Sequence, residues 1–172
     1  MIFANIDVSH LDFKSLPYKI TDQNDTWPKH LIPVEGRGIT QYFESQPESW
    51  EPYPGFQEIM DSLFHPYVDS FVNRQEPGQY YAPHTDKFER MRKRFGVKVK
   101  DCLRIMIFLE DWQMGHYFEI GKKPFTDWKA GDIMAIPPNV VHLSMNGGWT
   151  QKYTWQIQGL RKDFKVDMSK LI

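Results

Sequence analysis

CLRIMIFLED, residues 102–111, is the strongest strand signal in the chain, and the fold reads outward from it. Downstream, HYFEI (116–120), DIMAIP (132–137), VVHLSM (140–145) and KYTWQIQG (152–159) read as further strands, separated by Gly, Pro and Asn. Gly131-Asp132 gives the later pair of these a turn to start from. Upstream, VDSFVNRQ (68–75) and YYAPHTD (80–86) flank EPGQ (76–79), a Pro-Gly turn. Short strands at this spacing signal an all-β sandwich or barrel, and a jelly roll is the natural small solution because two packed sheets leave little open edge. Before the strands, QPESWEPYP (46–54) carries three prolines and reads as a surface connection. Pro54 then opens a helix whose Phe56, Ile59, Met60 and Leu63 form an apolar stripe. That helix should cover one side of the sheet and stop near His65-Pro66, because a residue before proline avoids the helical region. The expected fold class is mainly β (α+β), one domain, with a supporting segment over 1–67, a β core over 68–159 and a tail over 160–172.

Composition excludes several classes. The chain has 172 residues, 41% hydrophobic and 25% charged, an ordinary globular balance. Aromatics reach 15%, which suits a small β-rich core. A net charge of -1 forces no polyanionic partner, so no nucleic-acid partner is expected. One cysteine, Cys102, rules out an internal disulfide, fits a reducing compartment, and reads as a buried small hydrophobe. The N-terminal MIFANIDVSH lacks the basic-then-apolar pattern of a secretory signal. No stretch has the roughly 18 apolar residues that a membrane span needs, so a cytoplasmic protein without a membrane partner is expected.

The chemistry starts at His84-Thr85-Asp86. Residues i and i+2 of a strand point to one face, about 7 Å apart, so an imidazole and a carboxylate can converge on one metal. His142, from a distant strand folded alongside, would complete a face of three ligands with open positions, the pattern of non-haem iron(II) oxygenases. Alone, H-x-D is common by chance, and a surface histidine beside an aspartate is the bland reading. Ten residues beyond His142 stands Lys152, with Thr154 on the same strand face. A cation beside a hydroxyl can hold a carboxylate through charge-assisted hydrogen bonds. The bland counterpart is an exposed lysine alternating with Tyr153 and Trp155 on an edge strand.

The segment QEPGQYYAPHTD (75–86) resembles the prolyl 4-hydroxylase-like group of iron(II)/2-oxoglutarate-dependent dioxygenases. The matching residues are Gly78, Gln79, Tyr81, His84 and Asp86, and HLSMNGGWTQKYT (142–154) resembles the distal histidine followed by its co-substrate lysine. The resemblance implies a double-stranded β-helix with Fe(II) on His84, Asp86 and His142. It implies 2-oxoglutarate anchored by Lys152 with Thr154, near Tyr81. It also implies a hydroxylase that consumes dioxygen and releases succinate and carbon dioxide; Asp86 occupies the ligand position that halogenases of this class leave open for halide. Two departures stand out. Gly115-His116 replaces a common Gly-Gly, and Phe108 stands where many members have a co-substrate tyrosine. Arg104, Met106 and Phe108 share a strand face; turned inward, Arg104 could supply a co-substrate charge, and turned outward it meets solvent or the covering helix.

The substrate is less legible. A peptidyl-prolyl group, a free amino acid and another small molecule all fit. The basic run KFERMRKRFGVKVK (87–100) reads first as a solvated charge run and second as an attractor of acidic substrates. Trp112, Tyr117, Trp128, Trp149 and Trp155 are core or channel aromatics, and His116 is the best single candidate for a substrate contact. His10, His30 and His65 read as surface or cap residues. Two rivals remain: a cupin-type metalloenzyme independent of 2-oxoglutarate, and a non-enzymatic jelly-roll binding module for carbohydrate or protein.

Overall fold

The computed structural model describes residues 2–22, 39–45, 50–63 and 67–165. Its strands, in chain order, are β1 (Ile2–Asn5), β2 (Lys19–Asp22), β3 (Ile39–Ser45), β4 (Tyr67–Gln75), β5 (Tyr80–His84), β6 (Cys102–Phe108), β7 (His116–Ile120), β8 (Lys123–Phe125), β9 (Asp132–Ile136), β10 (His142–Asn146) and β11 (Lys152–Leu160). Helix α1 spans Pro54–Leu63 and α2 spans Glu89–Phe95. Seven strands form one sheet in the order β1-β9-β6-β11-β4-β3-β2, and four form another in the order β5-β10-β7-β8. Each sheet pairs antiparallel throughout. Among the described residues no helix is long and apolar enough to cross a membrane.

β6 explains why its segment reads as continuously apolar: both faces are buried. Leu103, Ile105 and Ile107 pack on the helical side of the larger sheet with Phe56, Ile59, Met60 and Leu63 of α1. Met106 and Phe108 turn the other way, between the sheets, against Phe118, Trp128 and Met134. The stripe read from the sequence is therefore the buried stripe of α1. The Pro-Gly turn also forms, with Gln79 N–H donating to the Glu76 carbonyl at 3.0 Å and Gly78 at φ 88°. Such a positive φ costs glycine nothing and a side chain a good deal.

The structure corrects the sequence reading in the first third of the chain. That segment supplies three strands to the larger sheet as well as a helix, with β1 and β2 forming its two edges. Four-residue strands such as IFAN carry too few alternations to be recognised, and tertiary pairing decides them. Within the expected surface connection, Trp50 is fully buried, packed on Phe56 at 4.9 Å and Trp155 at 6.0 Å. Its large apolar area outweighs the polar, proline-rich context. Residues 46–49 of that connection lie outside the described residues.

β1 docks through a close approach of backbones. Ile6 N–H donates to the Gly131 carbonyl at 3.0 Å, and Gly131 sits at φ 85° with no room for a Cβ, which would overlap the Ile6 carbonyl oxygen. Gly131→Ala is expected to cost about 2 kcal/mol through backbone strain and weakened β1 pairing. A lowered urea midpoint at unchanged m-value would show it; an unchanged midpoint would mean that β1 is not held there.

Candidate metal centre

Alternation along β11 is the key to the interior. Tyr153, Trp155 and Ile157 join the apolar core under α1. Lys152, Thr154, Gln156 and Gln158 occupy the opposite face and are also buried. On β4, Asp69, Asn73 and Gln75 are likewise buried and polar. A polar face normally means solvent, but here the second sheet lies over it. The space between the sheets is thus lined by groups that need partners.

Three of the site residues meet at the open end of that space. His142, first in β10, is the cross-strand partner of His84, last in β5, and their ring centroids are 4.3 Å apart. Asp86 follows two residues later. One ligand atom from each of the three lies within 4.8 Å of the others, an arrangement that could hold a metal ion. The imidazoles are oriented for this. His84 Nδ1 lies 2.8 Å from the Ala82 carbonyl, and His142 Nδ1 lies 3.1 Å from that of Val140. A carbonyl accepts only, so each Nδ1 carries the proton and each Nε2 presents a lone pair. His142 Nε2 and Asp86 Oδ2 face each other at 3.8 Å, and both are buried without a hydrogen-bond partner. Two orphaned buried acceptors aimed at one point fit a cation. Asp86 Oδ1 accepts from Arg104 at 3.0 Å, which leaves Oδ2 for the metal.

Burial keeps the rings neutral, as metal ligands must be. Desolvation lowers the pKa of His84, and desolvation with the neighbouring His84 lowers that of His142 to about 4. An unfolded histidine has a pKa near 6.5, so below that the unfolded chain binds the extra proton and stability falls. The metal-free protein is expected to lose up to about 1.4 kcal/mol per pH unit from His142 alone between pH 6.5 and about 4. Thermal melts across that window check the slope; His142→Ala should flatten it.

Besides the three ligands, the walls of an adjoining cavity of about 220 Å³ are Phe71, Tyr81, Arg104, Phe118, Ser144 and Gln156. Arg104 therefore turns inward, with its guanidinium 5.4 Å from the Phe71 ring and 6.0 Å from that of Phe88. Tyr81 donates to Asn73 Oδ1 at 3.2 Å. Lys152 is 1% exposed. Its Nζ donates to the Tyr117 carbonyl, to Ser144 Oγ at 2.9 Å and to the Met145 carbonyl at 3.2 Å, and lies over the Phe118 and Trp128 rings. No carboxylate pairs with it among the described residues, and burial pushes its pKa well below the ordinary lysine value. Ser144 stands between Lys152 and the cavity, while Thr154 is buried two register pairs along and does not reach the wall.

The substrate-side readings divide. His116 is buried, its Nε2 3.2 Å from the Thr150 carbonyl and its ring stacked toward Trp128, so it supports the core rather than the cavity. Of the five aromatics read as core or channel residues, Trp128 and Trp155 are core, Trp149 is 92% exposed, and none lines the cavity. Phe71 and Phe118 do that instead. The basic run forms α2, with Phe88 and Met91 turned inward and most of its charges in solvent; Arg90 pairs with Asp69 at 3.2 Å. His10 is exposed, and His30 and His65 lie outside the described residues. Ser144, Gln156 and Gln158 were missed, although their period-two spacing from His142 and Lys152 was available; Asn73 comes in only through the pairing of β4 with β11.

No protein-family model matches the chain, and no curated protein is significantly similar. Solved structures are. A predicted oxalate decarboxylase from Thermotoga maritima aligns with a TM-score of 0.51 at 12% identity, over 87% of this chain and 97% of that one. The chain has the double-stranded β-helix fold of the cupins. KdgF from a Halomonas species aligns at TM-score 0.47 and 9% identity, over 89% and 94%. A cupin 2 conserved barrel domain protein from Salinispora arenicola gives 0.44 and 13%, over 94% and 91%. At such identities the likeness concerns the cupin fold alone.

Proposed function

We propose that this cupin-fold chain is a metal-dependent enzyme that holds iron(II) on His84, Asp86 and His142 and oxidises a small substrate. The observation that carries the reading is the pair of orphaned acceptors, His142 Nε2 and Asp86 Oδ2, facing one point beside a second imidazole. Two imidazoles and one carboxylate on one face leave positions open for substrate and dioxygen. In its more specific form, the enzyme is a 2-oxoglutarate-dependent hydroxylase: the co-substrate is oxidatively decarboxylated to succinate and carbon dioxide while a C–H bond of the substrate becomes C–OH. Bound iron would supply the dioxygen chemistry.

The chain's residues have defined tasks in that scheme. Lys152, an interior cation with only neutral acceptors, would meet the far carboxylate as the Ser144 hydroxyl turns aside. Tyr81 and Asn73 would donate to the same co-substrate from β5 and β4, Asn73 Nδ2 being buried without a partner. Phe118 and the buried aromatics behind it exclude water.

A second reading is a cupin-type enzyme independent of 2-oxoglutarate. It is favoured by Lys152 standing behind Ser144 rather than on the cavity wall, with three acceptors already in place. One experiment separates the two. Iron(II) and 2-oxoglutarate are added without oxygen, and the weak visible charge-transfer band of a chelate is sought. The band is expected, followed by succinate release when oxygen and a substrate are admitted. Iron binding without a band would leave the second reading, and no metal binding at all would leave a binding module.

A further inference from the structure

Arg104 has no task in the scheme above, and its surroundings point to one. In β10 and β5, His142 pairs with His84 and Ser144 pairs with Tyr81. Lys152 reaches the centre through Ser144, on one side of the histidine pair. Asp86 lies beyond His84 in the opposite direction along β5, and Arg104 binds it there at 3.0 Å. The two interior cations thus approach the triad from opposite sides. On β11, Lys152 and the cross-strand partner of Arg104, Gln158, are six residues apart, roughly 20 Å along a strand.

The guanidinium is built to hold more than Asp86. It has five N–H donors. Asp86 takes one, and the Gln158 amide oxygen, turned toward it, accepts from Nε and one terminal nitrogen. Two donors remain, between the Phe71 and Phe88 rings, on a group that forms part of the cavity wall. Charge points the same way. With a divalent ion bound and the imidazoles neutral, the single charge of Asp86 leaves the ion and Arg104 with two positive charges in excess, without counting Lys152, whose proton burial disfavours. Asp69 acts on Arg104 from a distance and is itself paired with Arg90 at 3.2 Å. An anion at the guanidinium offsets positive charge in a buried site, where uncompensated charge is costly.

We propose that Arg104, held by Gln158, anchors a carboxylate of the substrate, so that the centre acts on a small monoanionic acid rather than on a neutral molecule or the interior of a peptide. The cavity of about 220 Å³ is below the roughly 300–1,000 Å³ of sites for drug-sized ligands, which agrees with a small acid. This assignment rests on the metal-centre reading and moves Arg104 from the co-substrate side to the substrate side.

The test is binding, not turnover. Wild-type protein is titrated calorimetrically with nickel(II), and then, with and without the nickel, with short aliphatic monocarboxylates and free α-amino acids, each against its amide. 2-Oxoglutarate is titrated separately. At least one acid should bind roughly tenfold or more tightly than its amide, as a charge-assisted pair implies. Arg104→Lys, which keeps the charge beside Asp86 but loses the fork, should cut that preference severalfold, and Arg104→Gln should erase it. Nickel binding by each variant is measured alongside, and in Arg104→Lys the acid preference should fall further than 2-oxoglutarate affinity does. Equal binding of acids and amides, no acid binding, or loss of 2-oxoglutarate in place of the acid preference would overturn the assignment. If Arg104→Gln does not fold, Arg104→Lys decides. Failure of nickel to bind would count against the metal centre, and the metal-free titration would still judge Arg104.

Discussion

His142→Ala is expected to lower affinity for a divalent ion by more than a hundredfold. Residues that merely orient a metal ligand are worth roughly 10–100-fold, and this change removes the ligand itself. The side chain is buried, with Nε2 aimed at Asp86 Oδ2 and Nδ1 held by the Val140 carbonyl. His84→Ala should behave alike. Asp86→Ala adds a second injury, because Arg104 loses its counter-charge in a site where it is 12% exposed. Breaking a buried pair from one side costs about 3–5 kcal/mol, so this variant should melt earlier as well as lose metal. The histidine variants leave no buried charge unpaired, so they should lose metal with a smaller drop in melting temperature. Metal content after dialysis, read beside a thermal melt, distinguishes the two patterns. Retention of metal by His142→Ala would dispose of the centre.

Lys152→Met carries the other large effect, on co-substrate binding and not on stability. If Lys152 holds the far carboxylate of 2-oxoglutarate, the variant loses a charge-assisted contact worth about 1.5–3 kcal/mol, roughly 10–150-fold in affinity. Metal binding should be untouched, since the triad does not contact the ammonium. Stability should change little. Three hydrogen bonds to neutral oxygens are lost, and so is the cost of holding an ammonium out of water with no carboxylate beside it. An unaltered 2-oxoglutarate affinity, with a markedly lower melting temperature, would assign Lys152 to the core and favour the enzyme that does without the co-substrate.

Much of the β core was legible because local signals agreed. The strands beginning at Tyr67, Tyr80, Cys102, His116, Asp132, His142 and Lys152 all lie where alternation and turn residues put them, within a few residues at their ends. The helix stripe of Phe56, Ile59, Met60 and Leu63 is the buried face of α1. What was missed has more than one cause, and the seven-residue β3 was missed despite its length. β1, β2 and β8 have four, four and three residues, so their pairing partners rather than their own pattern hold them. α2 was hidden by its charges, since only Met91 and Phe95 within it, with Phe88 at its N-cap, mark its inner side.

The site divides in the same way. Side-chain type and close spacing were enough to pick out His84 and Asp86, but β5 ends at His84, so Asp86 reaches the centre from the loop after the strand and not by sharing a strand face. Pairing them with His142 needed the two strands to lie alongside each other, which the antiparallel register of β5 and β10 supplies. KYTWQIQG determined an alternation and left open which face meets water. Only closure of the second sheet over Lys152, Thr154, Gln156 and Gln158 made the polar face the interior one, and burial of the opposite face under α1 fixed the choice. For Arg104 likewise, the sequence assigned a face shared with Met106 and Phe108, and the packing of two sheets turned it toward the metal ligands. Local chemistry is written along the chain, whereas inside and outside are properties of the assembled layers.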